Sequence, residues 1–165
     1  MFKSLWVASL FFVGCASAAD APSPYEPLAF LTGHCWKGEL PGGRGMDTHC
    51  FTHIYGEKFV RDMHTVHANA HPDYLGESIY FWDGTSKKLK YLYVESDGGS
   101  SEGIVDSTND SLIFPSTDYQ EDGKIQTYRS RWTKGAADAY DVLTEFKKGD
   151  AWTLGWKVHM TKVEK

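Results

Sequence analysis

Gly33 to His53, GHCWKGELPGGRGMDTHCFTH, constrains the fold more than any other stretch, because it holds two cysteines at matched distances from one tight turn. Pro41-Gly42-Gly43-Arg44 supplies that turn, with glycine where a tight loop needs positive φ. Counting outward, Leu40 faces Gly45, Gly38 faces Asp47, Trp36 faces His49 and Cys35 faces Cys50. The cysteines meet at a cross-strand separation that a disulfide spans. Side chains alternate between the faces of a strand. One face then carries Trp36, Gly38, Leu40, Asp47, His49, Phe51 and His53. The other carries Lys37, Glu39, Thr48, Thr52 and the cystine. An aromatic face with polar inserts suits the wall of a ligand-holding barrel, since a plain apolar core has no need of the histidines.

The remaining chain reads as further strands, with turn signals about every 8–12 residues, the spacing of an all-β sandwich or barrel. Strands are expected near Gly33–Leu40, Met46–Ile54, Lys58–His67, Glu77–Asp83, Leu89–Glu95, Glu102–Ser107, Ser111–Pro115, Lys124–Thr133, Ala139–Phe146 and Ala151–Lys162. No segment shows a long helical period with caps, and Pro27 to Leu31 is a short helical turn at most. Consecutive strands with short links predict a single antiparallel up-and-down β-barrel of about ten strands, which closes to remove exposed edges.

Two turns set which faces point inward. A three-residue Ile54-Tyr55-Gly56 loop pairs Phe51 with Phe59 and His49 with Arg61. It turns Phe59, Arg61, Met63, Thr65 and His67 inward and keeps large apolar residues opposite each other. A two-residue Gly56-Glu57 loop is the alternative, and would turn Val60, Asp62 and His64 inward instead, because one residue of slip exchanges the faces. Lys147-Lys148-Gly149 fits the three-residue type. It aligns Tyr140, Val142, Thr144 and Phe146 with Trp152, Leu154, Trp156, Val158 and Met160, leaving His159 on the outer face.

Lys3, the apolar run Leu5 to Val13 and Ala16-Ser17-Ala18 fit a cleaved export signal over residues 1–18, with the barrel domain over 19–165. A lipid anchor at Cys15 is the rival reading. The apolar run is too short for a stable membrane span. Cys35 and Cys50 are then an even pair in an exported chain, which reads as a disulfide in a periplasmic or extracellular protein. The net charge is −5, which argues against nucleic acid as a partner, since phosphate backbones need a basic footprint.

Leu31-Thr32-Gly33-His34-Cys35-Trp36, a Gly and a Trp opening the first strand after a helical turn, resembles the start of the calycin barrels: lipocalins, fatty-acid-binding proteins and nitrobindins. The later pattern Tyr80-Phe81-Trp82-Asp83-Gly84, Lys88-Leu89-Lys90-Tyr91, Asp97-Gly98-Gly99, Glu102-Gly103 and Tyr128-Arg129-Ser130-Arg131-Trp132 is similar to small secreted bacterial lipocalin-like domains that carry no assigned activity. The resemblance covers most of the chain and implies a barrel with an internal cavity. Its nitrobindin branch implies haem on a late histidine. His159 matches that residue by position, but the pairing above puts it outside.

The predicted lumen residues are Trp36, His49, Phe51, His53, Arg61, Met63, Tyr91, Tyr128 and Trp156. They suit a small, largely apolar or aromatic ligand. Arg61 either pairs with Asp47 or meets an anionic group of that ligand. His49 and His53 lie about 13 Å apart along a strand, too far to share one ion, and no acidic set with a recognised zinc spacing accompanies them. No metal site is therefore expected, and no cofactor, with haem on a strand histidine as the alternative. No Gly-x-Ser-x-Gly or other nucleophile–base spacing is present, so the expectation is a non-enzymatic binding protein, monomeric or weakly dimeric. An envelope interaction module with a filled interior is the remaining reading.

Overall fold

The computed structural model describes residues 23–68, 72–136 and 138–163. The expected export signal and the Cys15 anchor site lie outside them. Ten strands run in sequence: β1 Cys35–Leu40, β2 Gly45–Ile54, β3 Phe59–His67, β4 Tyr74–Asp83, β5 Lys88–Glu95, β6 Ser100–Ser107, β7 Ser111–Glu121, β8 Lys124–Lys134, β9 Ala139–Lys148 and β10 Ala151–Val163. Each pairs antiparallel with the next, and β1 pairs with β10, so the sheet closes into one up-and-down barrel. This is the architecture the calycin resemblance implies. No helix of the described residues is long and apolar enough to cross a membrane.

The first hairpin has the expected register. Leu40 pairs with Gly45, Gly38 with Asp47, Trp36 with His49 and Cys35 with Cys50. The disulfide joins the two strands 15 residues apart in sequence. Trp36 is buried while the cystine lies on the outer face. By loop-closure entropy, reducing this bridge is expected to destabilise the protein by about 2–3 kcal/mol. Thermal melts with and without reductant check this, and coincident curves would show an idle bridge.

The 3₁₀ turn Glu26–Leu28 closes one end of the barrel. Tyr25, Leu28 and Leu31 are buried there. Leu31 holds the Trp36 indole through its carbonyl at 3.2 Å. Gly33 N–H donates to the Phe51 carbonyl at 2.8 Å, stitching the turn to β2.

Three local expectations are corrected. Between β2 and β3 the loop is Tyr55 to Lys58, with Tyr55, Gly56 and Glu57 all at positive φ. Ile54 therefore pairs with Phe59, His49 with His64 and Phe51 with Asp62. The face that points inward is the alternative one: Val60 and Asp62 are buried and Met63 is exposed. Matching large apolar residues across the turn misleads here, because Asp62 goes inside to a partner, His49, while Arg61 finds Glu77 outside at 2.8 Å.

β7 runs on past Pro115 to Glu121 instead of stopping there. A bulge between Phe114 and Thr117 accommodates the proline, which has no N–H for the ladder. In β10 a bulge at Gly155 separates Leu154 from Trp156. The link is Gly149-Asp150, not the three-residue Lys147-Lys148-Gly149 loop, so Trp156 pairs with Thr144. The expected inward parity holds from Trp156 to Met160, but Trp152 and Leu154 lie outside. Leu154 is 66% exposed, and Trp152 stacks beneath the Arg129 guanidinium at 4.4 Å. A Cβ at Gly155 would come within 2.5 Å of the Phe146 ring, so glycine makes this change of face possible.

Candidate functional site

The barrel is hollow over much of its length, with a cavity of about 770 Å³. That lies within the roughly 300–1,000 Å³ typical of small-molecule sites. Alternation along the strands builds its walls. Even-numbered residues of β8 and β9 face in, bringing Tyr128, Ser130, Trp132, Val142, Thr144 and Phe146 to one side. Tyr80, Tyr91 and Tyr93 of β4 and β5 stand on the other. Among the described residues, the cavity reaches solvent beside Leu40, Arg44, Lys124 and Ile125, the end opposite the Trp36 plug.

The wall is aromatic with hydroxyl tips. Phe114 packs against Trp132 at 4.8 Å between ring centres, and Trp132 against Tyr140 at 5.8 Å. Tyr128 Oη lies 3.1 Å from Tyr91 Oη and 3.0 Å from Ser101 Oγ. Ser130 and Thr144 hydroxyls are 3.1 Å apart. Gly76 leaves room for the Tyr93 ring, whose hydroxyl would sit 2.6 Å from a Cβ added there. Burial pushes the Tyr80 and Tyr140 phenols well above their ordinary range, so both stay neutral donors.

One patch of the wall is charged. His49 Nδ1 donates to Asp62 Oδ2 at 2.7 Å. Asp62 is fully buried. On the ring's far side, His49 Nε2 is 3.4 Å from Asp47 Oδ1. The His64 ring stacks on His49 with centres 4.2 Å apart, and its Nε2 is 2.8 Å from the same Asp47 oxygen. Its Nδ1 lies 3.4 Å from Tyr93 Oη, which in turn is 2.5 Å from Tyr74 Oη. Burial disfavours a charge on His49, but the Asp62 and Asp47 carboxylates outweigh it and raise its pKa to about 10. Burial likewise opposes ionisation of Asp47, and the two histidines override it, holding that carboxyl far below its usual range.

Of the predicted lumen residues, His49, Tyr91, Tyr128 and Trp156 line the cavity. Trp36 and Phe51 are buried in the packed floor below it. His53 shares their parity but lies beyond the floor, exposed, with its ring 6.4 Å from Tyr25. Arg61 and Met63 are on the outer surface, so Arg61 meets neither Asp47 nor a ligand in the lumen. His159 is also outside, 2.9 Å from Asp141. Asp62 and His64, inward only in the alternative loop reading, also line the cavity, as do Tyr93 and Trp132. The shifted β2–β3 register accounts for the first two, while the period-two aromatic runs held the signal for the others. No family model matches this chain, and no curated protein matches it.

Proposed function

We propose that this protein is an exported calycin-like binding protein that takes a small, largely apolar or aromatic molecule into its barrel. The observation that carries this reading is the hollow lumen, walled by aromatic rings whose hydroxyls point into it. Rings supply apolar area at little entropic cost, and the Tyr91, Tyr128 and Ser130 hydroxyls orient a polar substituent. With Arg61 paired outside and His49 held between two carboxylates, an uncharged molecule or a hydrogen-bond donor suits the interior better than a carboxylate. Export is supported by the Leu5 to Val13 run and by the disulfide. The role is carriage or sequestration rather than catalysis, by a monomer or weak dimer.

Binding of N-phenylnaphthylamine, an uncharged aromatic fluorophore, tests it. The expected result is saturable fluorescence enhancement with one site per chain. Ser130→Trp, which projects an indole into the lumen, should weaken binding at least tenfold, or about 1.4 kcal/mol. Leu75→Ser, on the exposed outer face, should leave it unchanged. Binding that survives Ser130→Trp but is lost in Leu75→Ser would place the probe on the outer surface and refute the reading.

A further inference from the structure

We propose that Asp47, His49 and His64 form a binding site for one divalent transition-metal ion on the lumen wall, with Asp62 and Tyr93 holding the two imidazoles. Asp47 and His49 sit two apart on β2, and His64 is directly opposite His49 on β3. One ligand atom from each of the three residues lies within 4.8 Å of the others. The two measured separations from Asp47 Oδ1 are 3.4 and 2.8 Å. Ligand atoms bound about 2.0–2.2 Å from a shared ion sit roughly 3.0–3.5 Å apart, so small side-chain adjustments suffice.

A second observation points the same way. Asp47 Oδ1 and His64 Nε2 are buried, and neither makes a hydrogen bond among the described residues. They are close enough for one but not aligned for it. Buried polar atoms rarely stay unpaired, since each costs about 1–3 kcal/mol. Asp47 is only 8% exposed overall. A cation between these atoms satisfies both.

Charge and support agree with this. With both imidazoles neutral, Asp47 and Asp62 leave the cluster at two negative charges, which a divalent ion cancels. Asp62 accepts the His49 Nδ1 proton at 2.7 Å, which leaves Nε2 as the metal-facing nitrogen. A carboxylate behind a ligating histidine is the usual supporting arrangement. Tyr93 stands behind His64 in the same way. Two imidazoles and one carboxylate suit zinc, cobalt or ferrous iron, and three protein ligands leave coordination positions free. Those positions face the cavity, because all three ligands line it. The rings, stacked at 13°, open that angle when both nitrogens turn to one ion. This site does not depend on which organic molecule the lumen holds.

Titration of the chelator-stripped full chain with Co²⁺ alone, followed by its visible absorption, tests the proposal. The expected result is the intense spectrum of a low-coordinate cobalt site, saturating at one ion per chain and displaced by Zn²⁺. Asp62→Asn should weaken binding about 10- to 100-fold, and His64→Gln more. The doubly substituted His67→Ala/His159→Ala chain should bind unchanged, because it removes only the surface His67–Asp73 and His159–Asp141 pairs. Should a ligand variant not fold, Co²⁺-induced paramagnetic shifts of the His49 and His64 ring protons in the unaltered chain decide the matter. A spectrum no stronger than aqueous cobalt overturns the proposal. So does binding lost with His67 and His159 but kept in folded His64→Gln.

Discussion

Asp62→Ala is expected to destabilise the protein by about 3–5 kcal/mol, the largest loss of any charge removal in this barrel. Asp62 is fully buried and bonds the Nδ1–H of His49 at 2.7 Å. Without a metal ion, His49 is an imidazolium between two carboxylates. Removing Asp62 strands that cation beside a small void, with only Asp47 at 3.4 Å to face it. The ring must then either lose its proton or remain charged with half its partners. Asp62→Asn keeps the shape and an acceptor oxygen, so its loss should be smaller. Urea unfolding of chelator-treated protein near neutral pH measures both. A loss under about 1 kcal/mol in Asp62→Ala would show that water reaches His49 and that the pair behaves like a surface one.

Phe51→Ala is expected to cost a similar amount, about 3–5 kcal/mol, for a different reason. Its ring is fully buried and forms the part of the packed floor that meets the charged patch. It lies 6.0 Å from the His49 ring, 6.1 Å from Trp132 and 6.5 Å from Tyr80 between ring centres. Strands anchored on both sides cannot collapse into the space it leaves, so the transfer and cavity terms add. The void is expected to join the lumen and let the apolar fluorophore seat deeper. Stability and fluorophore affinity should therefore move in opposite directions. A core that merely repacked would lose less stability and leave affinity alone.

Several features of this barrel can be read from residues alone, for reasons specific to each. The β1–β2 register follows from the length of a Pro-Gly-Gly turn and from two cysteines that must meet. The inward face of β9, and of β10 from Trp156 on, follows from one apolar parity on both strands, though the turn between them is shorter than expected. Backbone irregularities hide the change of face at Gly155 and the continuation of β7 past Pro115, since a bulge leaves only a glycine or a proline as its trace. The β2–β3 loop misled because pairing Phe51 with Phe59 looks better than burying an aspartate. The aspartate wins because a histidine on the neighbouring strand bonds it. The Asp47, His49 and His64 cluster was hidden by the same slip: its third member comes from β3 and is opposite His49 only in the true register.

NMR chemical-shift mapping with N-phenylnaphthylamine tests most directly whether the lumen is what binds. Shifts are expected to concentrate on lumen residues such as Trp132, Val142, Thr144 and Tyr128, with the outer residues Met63, Leu75, Leu92 and Val94 silent. Shifts confined to those outer residues, or none at saturating probe, would contradict a ligand-holding barrel.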